Sequence, residues 1–316
     1  MKFFKKSIEP KIKTAVSAVL HTSVFSMKRM TYGEINYVCA VTTDKGKFIV
    51  RVFGYKDKPE PGKLEWIEKQ LVKHRIPHAK LIYYSRSSEY FPYGFMISEF
   101  VDGLGGWEAI KQGKQTLARS YTATGNILRK IHNIKLKKFG QGNGEYSDFL
   151  AMEMESIYAK LRALVLKKMI DARTADITIA QIEKSLEPYN KTFRPVLLHA
   201  DASRENSILT KDGKFILIDW DNAWSGIWLW DYIEISWWWL FPPVWPTAKK
   251  RIAKKAFFKG YGKITVSPKK FVDIEHGLHL IKSVEKLHYY YFDRKEMKNV
   301  NVVKKILLKL LKQGSE

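Results

Sequence analysis

The sequence has little cysteine, and its hydrophobic runs are short. Cys39 is the only cysteine among 316 residues, which excludes a disulfide framework and a thiolate metal site. A single thiol is typical of reducing compartments, so we expect a cytoplasmic protein. The most apolar run, from Ile235 to Trp245, is interrupted by two prolines and is too short to cross a bilayer. The sequence therefore predicts no transmembrane segment.

Acidic residues are also scarce, since 32 Asp and Glu face 55 Lys and Arg and give a net charge of +23. Such a charge favours anionic partners, namely nucleotide phosphates, nucleic acid or an anionic membrane surface. The lysines are spread along the whole chain, which is typical of a solvated surface, and no RNA- or DNA-binding motif accompanies them. We therefore expect no nucleic-acid partner, although a basic protein that binds nucleic acid or membrane surfaces stays an alternative.

The N-terminal segment combines a basic start with an apolar part, as a signal peptide does. Glu9, Pro10 and two further lysines interrupt this segment, however, and no small-residue cleavage site follows it. We therefore predict an amphipathic first helix in this region.

The first hundred residues are rich in strand-forming segments, and the rest of the chain is mostly helical. Residues 30–53 form two β-rich runs around a turn at Asp44–Gly46, which predicts a hairpin. A helix at 64–74 and two further strands complete a β-β-α-β-β order. After Gly103, helical periodicity predicts long helices in three segments, residues 116–134, 149–186 and 302–312. This order predicts an α+β fold with a small antiparallel sheet, one main helix and a larger helical part.

One short unit, HADASRENSILTKDGKFILIDWD, concentrates the residues that carry chemistry. Asp201 follows the apolar residues 196–198, and a carboxylate on such a loop can orient a hydroxyl and accept its proton. Asn206 lies five residues further on, and a predicted hairpin around 211–214 returns Asp219 to its neighbourhood. Amide and carboxylate oxygens are ligands that Mg²⁺ prefers. The set meets the needs of phosphoryl transfer to a hydroxyl.

These residues resemble the aminoglycoside phosphotransferase and choline kinase group, which are relatives of the protein kinases. The group has the pattern H-G-D-x-x-x-x-N-I-L followed by I-D-[WF]-[ED], and this chain has HADASRENSIL and LIDWD. The resemblance implies that Asp201 is the catalytic base and that Asn206 and Asp219 hold magnesium. It also implies that Asp231 braces the catalytic loop, with His199 in support.

The resemblance extends to the first hundred residues. Gly33 and Asn36 in YGEIN match the weak G-x-x-N of the family's phosphate-covering loop, although the first glycine of the usual pair is missing. Arg51 takes the position of the phosphate-binding lysine, and arginine can grip phosphate bidentately. The resemblance implies that Glu65 pairs with Arg51 and positions it, with Glu68 as the second choice.

Two further segments are similar to family features. The sequence SEFVDG resembles the hinge between the two lobes, where the adenine would bond to backbone groups near Glu99 and Val101. His132 fits a histidine at a helix end of the family, for which we favour a packed structural role.

The resemblance implies a bilobal protein-kinase-like fold. The nucleotide-binding lobe would comprise residues 1–101, and the catalytic and acceptor-binding lobe residues 102–316. Helical subregions at about 145–190 and 232–316 would bind the acceptor. The sequence does not indicate an oligomeric state.

We therefore predict a phosphotransferase that depends on ATP (or GTP) and Mg²⁺ and phosphorylates a hydroxyl of a small molecule. An aminoglycoside would fit an acidic cluster at Glu145, Asp148, Glu153 and Glu155, and a choline-like acceptor would fit the tryptophans between residues 228 and 245. A sugar-like acceptor is equally open. The alternative is a catalytically weak pseudokinase or nucleotide-binding module, which Arg51 and the missing glycine permit.

Overall fold

The computed structural model describes residues 8–30, 36–54, 59–142 and 144–314. Its chain divides into two compact units, the first formed by Met1–Ala109 and Glu205–Asp221, the second by Ile110–Arg204 and Asn222–Glu316. The chain thus returns to the first unit for a short hairpin that carries the predicted metal ligands.

The first unit holds most of the strands, and the second holds most of the helices. The helices are α1 Ile8–Leu20, α2 Lys63–Lys73, α3 Gly106–Lys111, α4 Leu117–His132, α5 Phe149–Leu166, α6 Ala172–Asn190, α7 Leu229–Trp237, α8 Thr247–Tyr261, α9 Pro268–His288 and α10 Met297–Gln313. The strands are β1 Val24–Arg29, β2 Tyr37–Thr43, β3 Gly46–Val52, β4 Leu81–Ser85, β5 Phe95–Glu99, β6 Gly103–Gly105, β7 Val196–Leu198, β8 Ser207–Thr210, β9 Phe215–Leu217 and β10 Trp224–Gly226.

The first unit is built on an antiparallel sheet with the strand order β1-β2-β3-β5-β4. Strands β2 and β3 pair from Tyr37↔Val52 to Thr43↔Gly46, which confirms the predicted hairpin. Every second residue of β2 is buried, as expected for a strand with one face on the core. The buried face of α1 packs with these strand residues in one apolar cluster. The predicted first helix is therefore confirmed as part of the core.

Strand β1 was not predicted, because the apolar N-terminal segment suggested helix. It lies at the edge of the sheet, and its side chains are exposed or half-buried without alternation. A second, three-stranded sheet with the order β6-β8-β9 completes the first unit. The β8–β9 pair confirms the second predicted hairpin.

The second unit is mostly helical, with β7 and β10 as a short antiparallel pair. Helices α4 and α8 approach closely at Gly125 and Gly260, where a Cβ on either residue would collide with backbone of the other helix. The helical segment predicted at 149–186 is two helices, α5 and α6, and the side chains of Asp148 and Asp171 cap their N-termini. An antiparallel N-terminal sheet followed by a helical part confirms the predicted α+β class.

The last helix, α10, buries its apolar side. Val303, Ile306, Leu307 and Leu310 are all buried. The prediction of an amphipathic last helix is confirmed, and its apolar face packs on the core. Among the described residues, no helix is both long enough and apolar enough to cross a membrane.

Candidate active site

The predicted catalytic loop follows β7 directly in the second unit. Strand β7 is fully buried and pairs with β10 through Leu198↔Trp224. The two residues after β7 donate their backbone N–H groups to one carboxylate. His199 N lies 3.0 Å from Asp231 Oδ2, and Ala200 N lies 2.6 Å from Asp231 Oδ1. Asp231 on α7 therefore fixes the start of the loop through these two hydrogen bonds.

A histidine and a tyrosine hold Asp231 in turn. His132 Nε2, at the end of α4, donates to Asp231 Oδ2 over 2.9 Å, and Tyr261 OH lies 2.9 Å from His132 Nδ1. Burial raises the pKa of Tyr261, so its hydroxyl keeps its proton beside the His132 ring. His132 is buried, as a packed structural histidine would be, but it also belongs to the brace of the loop.

Ala200 adopts a backbone conformation that L-residues rarely take, with φ of 58°. The family pattern has glycine at this place. A left-handed conformation costs a residue with a Cβ about 1–2 kcal/mol, and the bond from Ala200 N to Asp231 helps to hold it. The turn also brings Asp201 N to 3.2 Å from His199 Nδ1, so the ring of the fully buried His199 supports the loop.

The side chain of Asp201 is half-buried, and Asn222 Nδ2 lies 3.5 Å from its Oδ2. Its backbone oxygen accepts from Ser203 N over 2.7 Å, which closes a tight turn after the carboxylate. The arrangement presents a carboxylate on a loop held by several hydrogen bonds, which is what the orientation of a hydroxyl requires.

The predicted metal ligands lie in the first unit, at the open end of the β8–β9 hairpin. Ile218 N donates to Asn206 O over 2.9 Å, next to the strand pair Ser207↔Leu217. The residues that carry the two oxygen ligands, Asn206 and Asp219, are therefore brought to the same end of the hairpin, as the sequence predicted. Asp219 has a φ of 65°, and 42% of its side chain is exposed.

Arg51 binds this carboxylate from the middle of the sheet. Strand β3 is paired on both sides there, through Val38↔Arg51 and Arg51↔Met96. Arg51 Nη1 lies 3.0 Å from Asp219 Oδ1 and 2.7 Å from Asp221 Oδ2. Burial opposes a charge on Arg51, but the two carboxylates outweigh it and raise the pKa of the guanidinium. One cation thus joins both aspartates of the I-D-W-D segment.

The predicted ion pair between Arg51 and Glu65 is wrong. Glu65 is exposed in the first turn of α2, and Glu68 bonds instead to His78 Nε2 and to Leu81 N. In the described part of the chain, the ion pairs of Arg51 go to Asp219 and Asp221 alone. Helix α2 turns Leu64, Ile67 and Leu71 to the core, and Glu68 reaches β4 through its bond with Leu81 N.

The other residues that the sequence predicts to bind the nucleotide belong to the first part of the chain. Asn36 Oδ1 accepts from Gly54 N over 3.1 Å and so ties together the ends of β2 and β3. Glu99 is the last residue of β5, and Val101 lies in the connection to β6. Gly33 lies outside the described residues. The nucleotide contacts of these four residues stay predictions.

The sequence interpretation missed three residues: Asp221 in the Arg51 ion pairs, Tyr261 in the brace of Asp231, and Trp107 beside Glu205. Asp221 could have been found from the acidic fourth position of I-D-[WF]-[ED], whereas no local signal pointed to Tyr261. Trp107 on α3 was also missed, and its indole Nε1 donates to the Glu205 carboxylate. This contact gives a structural reason for a glutamate where the family usually has a small residue.

The fold and the sequence both match known phosphotransferases. The structure is similar to aminoglycoside phosphotransferase APH(4)-Ia in a ternary complex with ADP and hygromycin B, with 15% identity over 96% of this chain and 98% of that chain and a TM-score of 0.69. It is also similar to the choline kinase LicA from Streptococcus pneumoniae, with 18% identity, 97% and 99% coverage and a TM-score of 0.68.

A third similar structure is a putative fructosamine-3-kinase from Haemophilus somnus, with 16% identity, 96% and 97% coverage and a TM-score of 0.66. No curated protein sequence matches the chain. The sequence model of the phosphotransferase enzyme family matches residues 26–265. The prediction of a kinase-type enzyme is therefore confirmed, and the chain belongs to the phosphotransferase enzyme family.

Proposed function

We propose that the protein transfers the γ-phosphate of ATP (or GTP) to a hydroxyl group of a small molecule, with Mg²⁺ as cofactor. The observation that carries this proposal is the braced catalytic loop. Asp231 accepts hydrogen bonds from His199 N, Ala200 N and His132 Nε2, and the loop so fixed presents Asp201. Hygromycin B, choline and fructosamine, which the similar structures name, are all small hydroxyl compounds.

In the proposed reaction, Asp201 orients the acceptor hydroxyl and accepts its proton. The acceptor oxygen forms a bond to the γ-phosphorus, the bond from that phosphorus to the β–γ bridging oxygen breaks, and the nucleoside diphosphate leaves. General-base catalysis of this kind contributes about 10²–10⁴ in rate. Positioning of the hydroxyl by the rigid loop adds to this contribution.

The donor atoms at the hairpin end fit the proposed cofactor. Asn206 offers an amide oxygen and Asp219 a partly exposed carboxylate, and Mg²⁺ in kinases commonly takes one or two protein ligands together with phosphate oxygens. When bound, the ion would neutralise charge on the phosphates. Arg51 would hold the α- and β-phosphates, and backbone groups near Glu99 and Val101 would bind the adenine.

The domain assignment is part of the same proposal. Residues 1–101 would bind the nucleotide, and residues 102–316 would contribute catalysis and acceptor binding, the acceptor contacts coming from about 145–190 and 232–316. The hairpin with Asn206 and Asp219 groups with the first unit, so the nucleotide end of the site would also draw on this later segment.

The test is nucleotide turnover over a panel of hydroxyl acceptors for the wild type, Asp201→Asn and Asp219→Asn. We expect turnover in the wild type and a loss of at least about a hundredfold in Asp201→Asn. Asp219→Asn should in addition weaken Mg²⁺-dependent nucleotide binding. The matched control is Asp212→Asn in the turn of the same hairpin, where Asp212 is exposed and pairs with Lys214. Equal turnover in wild type and Asp201→Asn contradicts the proposal.

One observation favours a second candidate, a nucleotide-binding module with weak catalysis. Arg51 Nη1 lies 3.0 Å from Asp219 Oδ1 and so competes with a metal ion for that oxygen. Mg²⁺-dependent nucleotide binding without release of nucleoside diphosphate over the whole panel supports this candidate. Turnover that is sensitive to Asp201→Asn excludes it.

A further inference from the structure

A cavity of about 320 Å³ lies in the second unit, where residues of α7, α8 and α9 line it. This volume is within the range of small-molecule sites. The α8 residues in its lining are Thr247, Lys250, Arg251 and Lys254. Their spacing of three, one and three residues places them on one side of the helix. Helix α8 therefore presents a continuous polar stripe to the cavity.

The wall that α7 and the residues just after it contribute is mainly apolar. Tyr232 and Trp239 are buried, and Leu240 is half-buried. Trp239 Nε1 donates to Tyr121 OH over 3.0 Å, and Tyr232 OH donates to Glu275 Oε1 over 3.0 Å. Because the polar atoms of both rings are bonded within the protein, these side chains offer a ligand apolar surface.

The charged groups that line the cavity do not cancel. Lys254 Nζ lies 2.9 Å from Glu275 Oε2, so these two neutralise each other. Burial lowers the pKa of His279 to about 4, and its ring is uncharged at neutral pH. Lys250 and Arg251 remain, and in the described part of the chain neither forms an ion pair. The lining therefore carries two net positive charges.

The surroundings of Lys250 and Arg251 add positive charge. Helix α8, with the sequence TAKKRIAKKAFFKGY, contains no acidic residue. Burial and the nearby Lys309 on α10 lower the pKa of Lys250. Lys250 also lies in the first turn of α8, where the positive end of the helix dipole favours acidic residues over basic ones. An anion beside Lys250 and Arg251 would relieve this repulsion.

The cavity lies on a different side of α7 from the catalytic loop. Asp231, which bonds to the loop, and Ser236, which lines the cavity, are five residues apart and thus about 140° apart around the helix axis. Ser236 Oγ lies 2.9 Å from His279 Nε2 on α9. The cavity is therefore separate from the place where Asp201 would orient a hydroxyl.

We propose that this cavity binds a small amphiphilic anion, with its apolar part against Trp239 and Leu240 and its carboxylate or phosphate group at Lys250 and Arg251. Such a ligand matches both the apolar wall and the two cations. A cationic ligand would meet like charges, and a fully polar anion would leave the apolar wall uncovered. The inference does not rest on the proposed function, because it needs neither a nucleotide nor phosphate transfer.

The experiment varies the apolar part and the charge of the ligand separately. Octyl phosphate and octanoate have both features, octanol lacks the charge, octylammonium reverses it, and inorganic phosphate lacks the apolar part. Calorimetry measures binding to the whole chain without nucleotide, below the micelle concentration of each ligand. We expect octyl phosphate or octanoate to bind at least about tenfold more tightly than octanol, the equivalent of one hydrogen bond to a charged group. The same ligand should bind at least about a hundredfold more tightly than inorganic phosphate, the equivalent of about four buried methylene groups.

Variants assign the two parts of the effect to the two ends of the cavity. The double variant Lys250→Met, Arg251→Met should weaken binding of the anion at least about tenfold and leave that of octanol unchanged. Leu240→Ala should weaken binding of all the octyl compounds alike. The matched control is Lys259→Met, Lys263→Met, which removes the same charge from exposed residues that do not line the cavity. It should bind as the wild type does.

Vesicles of phosphatidylcholine with and without phosphatidic acid distinguish two sources of the anion. Binding to acidic vesicles that Lys250→Met, Arg251→Met loses and the control keeps identifies a lipid as the ligand. Binding of octyl phosphate or octanoate without binding to vesicles identifies a free compound. Both results support the inference.

Four results overturn the inference. Octanol or octylammonium binds as tightly as the anions, or no compound of the set binds. The anions bind equally to the wild type and to Lys250→Met, Arg251→Met, or both double variants lose the same affinity, which would indicate a general effect of charge. Absence of nucleotide turnover contradicts the proposed function and leaves this inference untouched, since binding is measured without nucleotide.

Discussion

Two aspartates, Asp231 in the second unit and Asp219 in the first, are held in opposite ways. Asp231 has no exposed side-chain surface and accepts from two backbone N–H groups and a histidine ring. Asp219 is 42% exposed, and one of its oxygens lies 3.0 Å from the guanidinium of Arg51. The first carboxylate is a fixed part of the fold, and the second is accessible enough to exchange one cation for another.

Loss of the two aspartates should cost the folded state different amounts of free energy. A buried carboxylate that loses its hydrogen bonds leaves several donors unpaired, and each unpaired buried group costs about 1–3 kcal/mol. An ion pair at a partly exposed carboxylate typically contributes only about 0–1 kcal/mol, because water and salt screen it. Loss of Asp231 should therefore affect folding and activity, whereas loss of Asp219 should affect activity with little change in folding.

The largest effect is expected from Asp231→Asn. An amide in place of the carboxylate cannot accept from His199 N, Ala200 N and His132 together, so the free energy of unfolding should fall by about 3 kcal/mol. Displacement of Asp201 should lower kcat about a hundredfold. Urea unfolding and ATP turnover measure the two effects.

Asp219→Asn and a surface variant provide the comparison. Asp219→Asn should lower turnover and change unfolding by less than about 1 kcal/mol. Asp273→Asn removes a carboxylate that accepts from Tyr189 OH and contacts neither Asp231 nor Asp219. This variant should change turnover and the free energy of unfolding little. Equal losses of stability in Asp231→Asn and Asp219→Asn would remove the distinction between the fixed and the exchangeable carboxylate.

Substitution of Arg51 tests the comparison by removing the cation that Asp219 binds. Arg51→Met leaves Asp219 and Asp221 without their shared partner, so the KM for the nucleotide should rise about tenfold. Arg51→Lys keeps the charge but loses the planar fork, and an intermediate KM is expected. Steady-state kinetics at fixed Mg²⁺ measure both variants.

The Mg²⁺ dependence of the same variants reports on competition for Asp219. If Arg51 competes with the ion, nucleotide binding by Arg51→Met should saturate at a lower Mg²⁺ concentration than that of wild type. A higher Mg²⁺ requirement contradicts the view that Asp219 exchanges its cation. Lys214→Met, which breaks the exposed pair with Asp212, is the matched control and should leave the requirement unchanged.

Glu153 extends the comparison to a buried carboxylate whose pKa is raised to about 8 by burial and Glu285, against Lys160 and Lys282. The folded state holds this proton more tightly than the unfolded state, where the pKa is about 4.5. Its contribution to stability is therefore complete below pH 4.5 and is lost as the pH rises through 8. Glu153→Gln should remove most of this fall, which amounts to about 3–4 kcal/mol between pH 5 and 8 at 1.36 kcal/mol per pKa unit.

Unfolding free energies of both proteins across this range provide the measurement. Subtraction of the two profiles isolates Glu153 from other groups, such as His279, whose pKa burial lowers to about 4. Parallel profiles for wild type and Glu153→Gln contradict the raised pKa.

The catalytic loop and the hairpin could be predicted from the sequence because their signals are local. Asp201, Asn206 and Asp219 lie within one short unit, and the Lys211–Lys214 turn between two apolar runs is enough to specify a hairpin. The α+β class followed from the switch between strand and helix periodicity near Gly103.

Partners that come from distant parts of the chain could not be predicted in this way. Arg51 and Asp219 are 168 residues apart, and sequence spacing does not show which carboxylate an arginine meets. The link from Tyr261 through His132 to Asp231 likewise joins three helices. Strand β1 was missed for a different reason, since an edge strand with mostly exposed side chains lacks the alternation that marks a half-buried strand.

The smallest expected effect concerns the strain that the brace imposes on Ala200. Its φ of 58° costs about 1–2 kcal/mol, which exceeds the cost of about 0.5–1 kcal/mol for the added freedom of a glycine. Ala200→Gly should therefore raise the free energy of unfolding by about 0.5–1 kcal/mol. The control is Ala202→Gly two residues on, which is buried without a positive φ and should be destabilised by a similar amount. Urea unfolding measures both variants. A rise in the free energy of unfolding for Ala200→Gly and a fall for Ala202→Gly would show that Asp231 holds the loop against a local preference. A fall in both variants would show that the loop takes this conformation unaided.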